Sequence, residues 1–517
     1  MRRQLQLRRR TKKLLKVKKL NTRQMLKFCW SLLAVVFFIS VNACKPAEEK
    51  PDDSETPVVE DVETYITYAN KSMLFKNVPV SFNTKPNMDV ERTIWLDAST
   101  VFQEIDGFGV AITGSTCYNL LHMSKENRTE LLKESFDPEE GAGYSYIRIS
   151  IGCSDFSLEE YTCCDTPGIE NFAIHELDKR DLFPVLKEIL AINPTLKILG
   201  SPWTCPRWMK VNNLTDLQPY NSWTSGQLNP AYYQDYATYF VRFIQEMNNE
   251  GFNIDAVTIQ NEPLNRGNSA SLYMTWQEQA DFIKNALGPK FKEAGITTRI
   301  VIYDHNYNYD NIVDQKNYPV KIYQDAEAAQ YIDGAAFHAY GGDKSEMLNV
   351  HNAAPGKNLY FTEMSIGSWN YSFDGDLMWS MREIGIGTLN NYGKSVIVWN
   401  YLLDENGAPN RPGGCTTCYG AIEISSKDYT TLDKKSHYYL IAHLSKVILP
   451  GARRIATNGF TQNGLYLTAV ENQDGTYGVV LQNDTDLAIK LVIDDETHSF
   501  PLTIAPKSVV SCKWDKS

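Results

Sequence analysis

Between about residues 104 and 402, eight apolar, β-branched runs recur, each followed by an amphipathic segment. No other feature of this 517-residue chain narrows its fold as much. The runs lie at 104–113, 144–152, 196–203, 254–263, 298–306, 332–340, 358–365 and 395–402. Several are near-continuous in apolar residues, as expected of parallel strands buried on both faces. The intervening segments carry helix signals. Asn229-Pro230 supplies an N-cap and a first-turn proline, after which Tyr236, Phe240, Phe243, Ile244 and Met247 repeat at helical spacing. Thr275 and Glu278 form a capping-box pattern ahead of Phe282, Ile283 and Leu287. Leu182, Leu186, Ile189 and Leu190 share one helical stripe. Eight such units over roughly 330 residues predict an α/β chain folded as a (β/α)8 barrel. The alternative is an open doubly wound sheet, but the Gly-rich phosphate-binding turn of that fold is missing.

The ends of the chain read differently. Segments 464–470, 477–482, 488–493 and 508–514 are short and alternate in polarity, with Asn-Gly, Asp-Gly and Asn-Asp turns between them. They predict a β-sandwich over 439–517, completed by N-terminal strands from 63–100, with the barrel over 101–438. Residues 1–43 hold 12 Lys/Arg and no Asp/Glu, and 28–41 form an apolar run of about 14 residues, too short to span a bilayer and right for an export signal. That run ends Val41-Asn42-Ala43-Cys44, similar to a bacterial lipoprotein cleavage box apart from Asn42. The expectation is a signal over 1–43, a lipidated Cys44 as the sole membrane attachment, and an acidic, Pro-rich tether over 44–62. The alternative is a plain secretory signal with an incidental cysteine, and translation starting at Met25 fits either. The chain is expected in the cell envelope, as a monomer. Without its first 43 residues it has 39 basic against 62 acidic side chains, which argues against nucleic acid as a partner. Cys415-Thr-Thr-Cys418 resembles half of a zinc site, but no second pair stands at zinc spacing, so a local disulfide or free thiols are expected and no metal.

Chemistry collects at the ends of the predicted strands, where barrel enzymes place their active sites. The fourth ends Gln260-Asn261-Glu262-Pro263 and the seventh carries Thr362-Glu363-Met364. The second runs through Arg148 to Asp155, the third ends at Trp203, the sixth at His338-Ala339-Tyr340 and the eighth at Trp399-Asn400. Carboxylates on strands four and seven face each other across a barrel mouth. Glycoside hydrolysis needs such a pair, one to protonate the departing oxygen and one to attack or stabilise the anomeric carbon.

These residues resemble glycoside hydrolase family 30, which includes glucosylceramidases and β-1,6-glucanases. The similarity runs through GFGVAITGS at 107–115, YIRISIGCSDFS at 146–157, ILGSPWTCPRWMK at 198–210, AVTIQNEP at 256–263, AAFHAY at 335–340, YFTEMSIGS at 360–368 and WNYLLDENGAPN at 399–410. It departs at Gly109-Val110-Ala111, where the family has Gly-Gly-Ala, and at Thr113-Gly114, where it has Thr-Asp. The resemblance implies a barrel fused to a β-sandwich, retention of configuration, Glu262 as acid/base and Glu363 as nucleophile, and no cofactor. With it, Arg148 and Tyr340 are expected to donate to Glu363, and Glu363's charge to keep Glu262 protonated. Asn261 is expected to meet a sugar 2-hydroxyl. Asp155, Trp203, Trp399 and Asn400 are expected to wall the glucose, with His338 beside the acid. Blander roles exist for several: Arg148 as partner of a buried carboxylate, His338 as a satisfied core histidine, Trp203 and Trp399 as packing. The loop at 409–418 and the export signal favour an endo-acting β-1,6-glucanase. Glucosylceramidase or β-glucosidase activity, xylan hydrolysis and an inactive glycan-binding lipoprotein are the alternatives.

Overall fold

The computed structural model describes residues 61–85, 89–307 and 312–516. The expected export signal, Cys44 and all but the last two residues of the expected tether lie outside the described residues. No described helix is long and apolar enough to cross a membrane. Each of the eight predicted runs coincides with one parallel strand, the last strand starting two residues ahead of its run: β1 (Gly107–Val110), β2 (Tyr146–Ser150), β3 (Lys197–Ser201), β4 (Ala256–Thr258), β5 (Arg299–Asn306), β6 (Ile332–His338), β7 (Asn358–Glu363) and β8 (Gly393–Val398). They pair in chain order from β2 to β8, and β8 then pairs with β1. The Ala111–Arg148 bridge and the Ile112 N–H donated to the Arg148 carbonyl at 2.9 Å bring β1 to β2 and all but close the barrel.

Strand propensity and burial act together here. Almost every residue of the eight strands is buried, and Tyr146, Leu199, Ala256, Val301, Ala336, Tyr360 and Ile397, one from each of β2 to β8, form a cluster that fills the bore. Helices cover the outside. Asn229 caps its helix by accepting from the Ala231 N–H, and Tyr233–Asn249 then buries the expected stripe of Tyr236, Phe240, Phe243, Ile244 and Met247. The Thr275–Glu278 capping box forms with both reciprocal bonds.

The sandwich is woven from both ends of the chain. Val62–Tyr68 lies antiparallel to Ser508–Asp515, while Thr93–Glu104 lies between Arg453–Gly459 and Ile489–Asp494 in a nine-stranded ladder. Phe500, on the strand at one edge of that ladder, sits 4.9 Å from Trp514, six strands away in pairing order, so the sheet closes over its own core. The fully buried helix Ser436–Val447 spans the expected 438/439 boundary. Its His443 bonds Ser511 at 2.7 Å and Thr67 at 2.8 Å, tying barrel to sandwich.

At the N-terminal end of the barrel a second charge cluster closes the bore. Asp106, 3% exposed at its side chain, pairs with Lys197 at 2.9 Å and Arg299 at 2.6 Å, with Lys394 at 3.6 Å. Burial pushes its carboxyl up, but Arg299, Lys394 and Lys197 outweigh burial and hold it below the ordinary value. Removing the anion takes the ion-pair partner from Lys197 and Lys394 and leaves Arg299 to Asp255 alone, so Asp106→Asn is expected to cost about 3 kcal/mol in urea unfolding at pH 7. Because the folded carboxyl titrates low, its contribution is complete above about pH 4 and is lost as the pH falls through the lower folded value. The gap between wild type and variant should therefore narrow on acidification. A gap that stays constant down to pH 3 would rule this account out.

Candidate active site

At the C-terminal end of the barrel, six strands direct polar side chains to one point. Arg148 of β2 is fully buried there. Its Nη1 donates to Glu363 Oε2 at 2.5 Å, its Nη2 to Asp304 Oδ2 at 2.8 Å and Asn261 Oδ1 at 2.7 Å, and its Nε to Ser201 Oγ at 3.1 Å. Asp304 also accepts from Thr258 Oγ1 (2.8 Å), Thr362 Oγ1 (2.7 Å) and His338 Nε2 (3.0 Å). A register shift in β5 turns Asp304 inward, with Tyr303 and Asp304 at φ 71° and 63°. Glu262, just past β4, has φ 47° and donates its N–H to the Asp304 carbonyl at 2.9 Å. Left-handed backbone at three side-chain-bearing positions costs on the order of 1 kcal/mol or more each, and such strain persists where neighbours over-determine it, as this hydrogen-bond set does.

The two glutamates meet at His338. His338 Nδ1 lies 3.2 Å from Glu262 Oε1 and 3.9 Å from Glu363 Oε1. Single oxygens of both carboxylates and a His338 nitrogen lie within 4.8 Å of one another. That separation matches the close carboxylate pair of retaining glycosidases and leaves no room for a water between them. Glu363 Oε1 also accepts from the Tyr340 hydroxyl at 3.1 Å, so Arg148 and Tyr340 both donate to Glu363 as the sequence suggested. The trio has the geometry of a cation site, but an imidazolium fills that electrostatic role. Burial lowers His338, yet the charge of Glu363 and the hydrogen bonds to Asp304 and Glu262 outweigh it and push the ring up to about 9.

One expectation is corrected here. The charge of Glu363 does not keep Glu262 protonated. Glu262 Oε2 accepts from the Asn265 and Asn268 amides, both at 2.8 Å, and Oε1 faces His338. Burial raises Glu262, but the His338 bond, the nearby His305 and the asparagine donor outweigh it and hold the carboxyl down to about 2. The proton of this pair therefore rests on His338. Burial and Glu262 raise Glu363 above its ordinary value in spite of His338 and Arg148. Asp155 is pushed up to about 8 by burial and by the charge of Glu363, so near neutrality it presents a protonated carboxyl, able both to donate and to accept.

A cavity of about 460 Å³ opens above these groups, walled by Asp155, Trp203, Trp399 and Tyr340 with both glutamates in its floor. Trp203 and Trp399 stack at 5.1 Å between ring centres, and each ring also covers the Arg148 guanidinium, at 4.9 and 5.5 Å. Four predicted residues stand behind the wall. Arg148, Asn261, His338 and Asn400 are at most 2% exposed and do not line the cavity. They act through their neighbours: Asn400 Oδ1 accepts from Thr113 at 2.8 Å, and Arg148 fixes the orientation of the Asn261 amide. Sequence reasoning missed Asp304, although an aspartate inside an otherwise apolar strand is a legible sign of a buried partner. It also missed Asn306 and Ser365, the last residues of their predicted runs, and Asn265, Asn268 and Trp369, which are ordinary loop residues in one dimension. Cys415 and Cys418 form a disulfide at the cavity rim, and the other six described cysteines are buried free thiols.

Residues 105–448 match the glycosyl hydrolase family 30 TIM-barrel domain and 451–512 the family's β-sandwich domain. A solved structure, the endo-β-1,6-glucanase BT3312, is 56% identical, superposes with a TM-score of 0.86, and covers 88% of this chain and all of its own. Endo-1,6-β-D-glucanase neg1 of Aspergillus fumigatus is 33% identical over 406 residues, 74% of this chain and 78% of that protein. Lysosomal acid glucosylceramidase of Mus musculus is 28% identical over 429 residues, 78% of this chain and 80% of that protein. With the family's barrel and sandwich domains matched in order over 105–448 and 451–512, the chain belongs to glycosyl hydrolase family 30.

Proposed function

We propose that the protein cleaves β-1,6-linked glucan within the chain, by double displacement with retention. The observation that carries this reading is the pair of buried carboxylates within 4.8 Å in the floor of an open, aromatic-walled cavity. The 56% identity to an endo-β-1,6-glucanase supports the linkage. Glu363, aimed by Arg148 and Tyr340, attacks the anomeric carbon as the bond to the departing oxygen breaks. That oxygen takes its proton from Glu262, leaving a glycosyl ester on Glu363. A water then gives its proton to Glu262 and attacks the ester, releasing the sugar and restoring both groups.

The proton for the first step is stored one hydrogen bond away. His338 holds it because the Asn265 and Asn268 amides favour an ionised Glu262. A sugar that excludes water and draws the asparagine amides toward its own hydroxyls moves the proton onto Glu262. The apolar run at 28–41 and Cys44 support an enzyme held in the cell envelope by a lipid.

Product analysis on a panel of linear β-glucans, with glucosylceramide alongside, tests the substrate. Short oligosaccharides from the β-1,6 polymer are expected. Turnover of glucosylceramide alone would favour the reading that the mouse relative suggests, and binding without release would make the protein a glycan-binding module. Glu363→Gln is expected to lower kcat by at least about 10³-fold while binding survives. Glu262→Ala should slow substrates with poor leaving groups by about 10²–10⁴-fold and activated aryl glycosides far less, and equal slowing of both would remove Glu262 as the acid. In the Asn265→Ala/Asn268→Ala variant, Glu262 loses two donors to its charged form, so its pKa rises. The alkaline limb of kcat/KM should move to higher pH, whereas a limb that stays put or moves down would show that the asparagines do not set that proton. Metabolic labelling with an alkynyl fatty acid should mark the wild type and not Cys44→Ser.

A further inference from the structure

One wall of the cavity takes no part in the chemistry above. Ser365, Trp369, Cys415, Thr417 and Cys418 line it, and no hydrogen bond among the described residues joins any of them to Glu262 or Glu363. The wall is nevertheless built with care. The loop after β7 and the loop after β8 are stitched by a short antiparallel ladder, Ile366 to Tyr419 and Gly367 to Cys418, and by the Ser368 N–H donated to the Thr417 carbonyl at 2.8 Å. The Cys415–Cys418 disulfide closes the tip of the second loop. Its base is fixed by the buried Arg411 guanidinium, which donates to the Ser154 carbonyl at 3.0 Å, pairs with Glu160 at 2.8 Å and bonds the Ser269 carbonyl.

On this rigid support lies Trp369. Its ring rests against Gly367, where a Cβ would stand 2.0 Å from Trp369 Cζ3 and 2.2 Å from the Thr417 carbonyl, so only glycine admits the arrangement. Trp369 is 54% exposed, against 1% and 3% for Trp203 and Trp399 in the same cavity. In the same cavity the buried Ser365 hydroxyl faces that of Tyr340, already committed to Glu363, and forms no well-directed hydrogen bond in the protein. An open indole face and a spare hydroxyl lining one cavity suit a pyranose, which has an apolar face and a rim of hydroxyls. A cavity of about 460 Å³ falls in the range that encloses drug-sized ligands rather than one six-membered ring.

We propose that Trp369, laid on Gly367 and framed by the Cys415–Cys418 loop, is the platform of a second sugar subsite. It holds the glucose unit next to the one seated between Glu262 and Glu363, and so selects chains over single glucosides. The subsite rests on the glucan reading of the cavity. Because the wall is stapled at tip and base, little ordering entropy opposes the stacking.

The test uses the full chain carrying Glu363→Gln and measures calorimetric binding of β-1,6-linked gluco-oligosaccharides of two to four units. Adding Trp369→Ala should weaken the tetrasaccharide about tenfold, and Trp369→Phe should recover part of the loss. Dithiothreitol, acting on the one disulfide among the described residues, should weaken binding in the same direction. Thermal unfolding of each variant confirms that it folds. If the Glu363→Gln parent binds the series and Trp369→Ala binds it equally well, the subsite is overturned and the glucan reading stands. If the parent binds none of the series, the glucan reading falls and the subsite with it.

Discussion

The buried pairing of Arg148 with Asp304 and Glu363 organises the mouth of the barrel. A guanidinium fully removed from water is tolerable only if its charge and its donors are answered, and four side-chain acceptors surround this one. Asp304 in turn holds His338 and, through its own carbonyl, the backbone N–H of Glu262. The two glutamates are thus placed by one connected set of bonds that crosses the barrel from β2 to β7. Taking any one partner out would leave a buried charge without an answer, so the set is held together as a unit.

That network also decides where protons rest. Asp155, Glu262, Asp304 and Glu363 crowd around two cations, Arg148 and a protonated His338. Asp304 stays ionised between both cations, held below its ordinary range by them against the pull of burial. Glu262 is ionised through its asparagine and histidine donors, while Asp155 keeps its proton. The asparagine donors of Glu262 come from a loop that lines the cavity, whereas the donors of Asp304 are sealed beneath the floor. The proton that moves during turnover is accordingly the one on the pair with reachable partners.

Loops build the specificity around this fixed floor, and they too are anchored by buried cations. Arg411 ties together loops after β2, β4 and β8. Lys210, 2% exposed, donates to the Ser222, Ser225 and Ser271 carbonyls at 3.0, 2.9 and 2.8 Å, gathering loops after β3 and β4. A cation satisfying several backbone carbonyls rigidifies long loops that would otherwise be free to move. The loops that frame the cavity are therefore anchored independently of the charged floor, while Tyr340, Trp203 and Trp399 belong to both wall and floor.

The eight strands were legible because burial on both faces leaves a continuous apolar run that no turn or surface helix tolerates; β1 to β7 fall inside the runs read from the chain, and β8 starts two residues before its own. The family and the two glutamates were legible because their neighbouring residues stand at strand ends in a fixed order. The short sandwich strands were visible from alternation and turn residues. Tertiary structure alone decided which side chains reach the cavity: Arg148, Asn261, His338 and Asn400 are hidden behind it, while Asn265, Asn268 and Trp369 reach it from loops. It alone also decided that the resting proton sits on His338 rather than Glu262. Periodicity records whether a segment is buried, and it survives in one dimension. Side-chain reach and proton affinity depend on distances between residues remote in sequence, and those exist only once the barrel has closed.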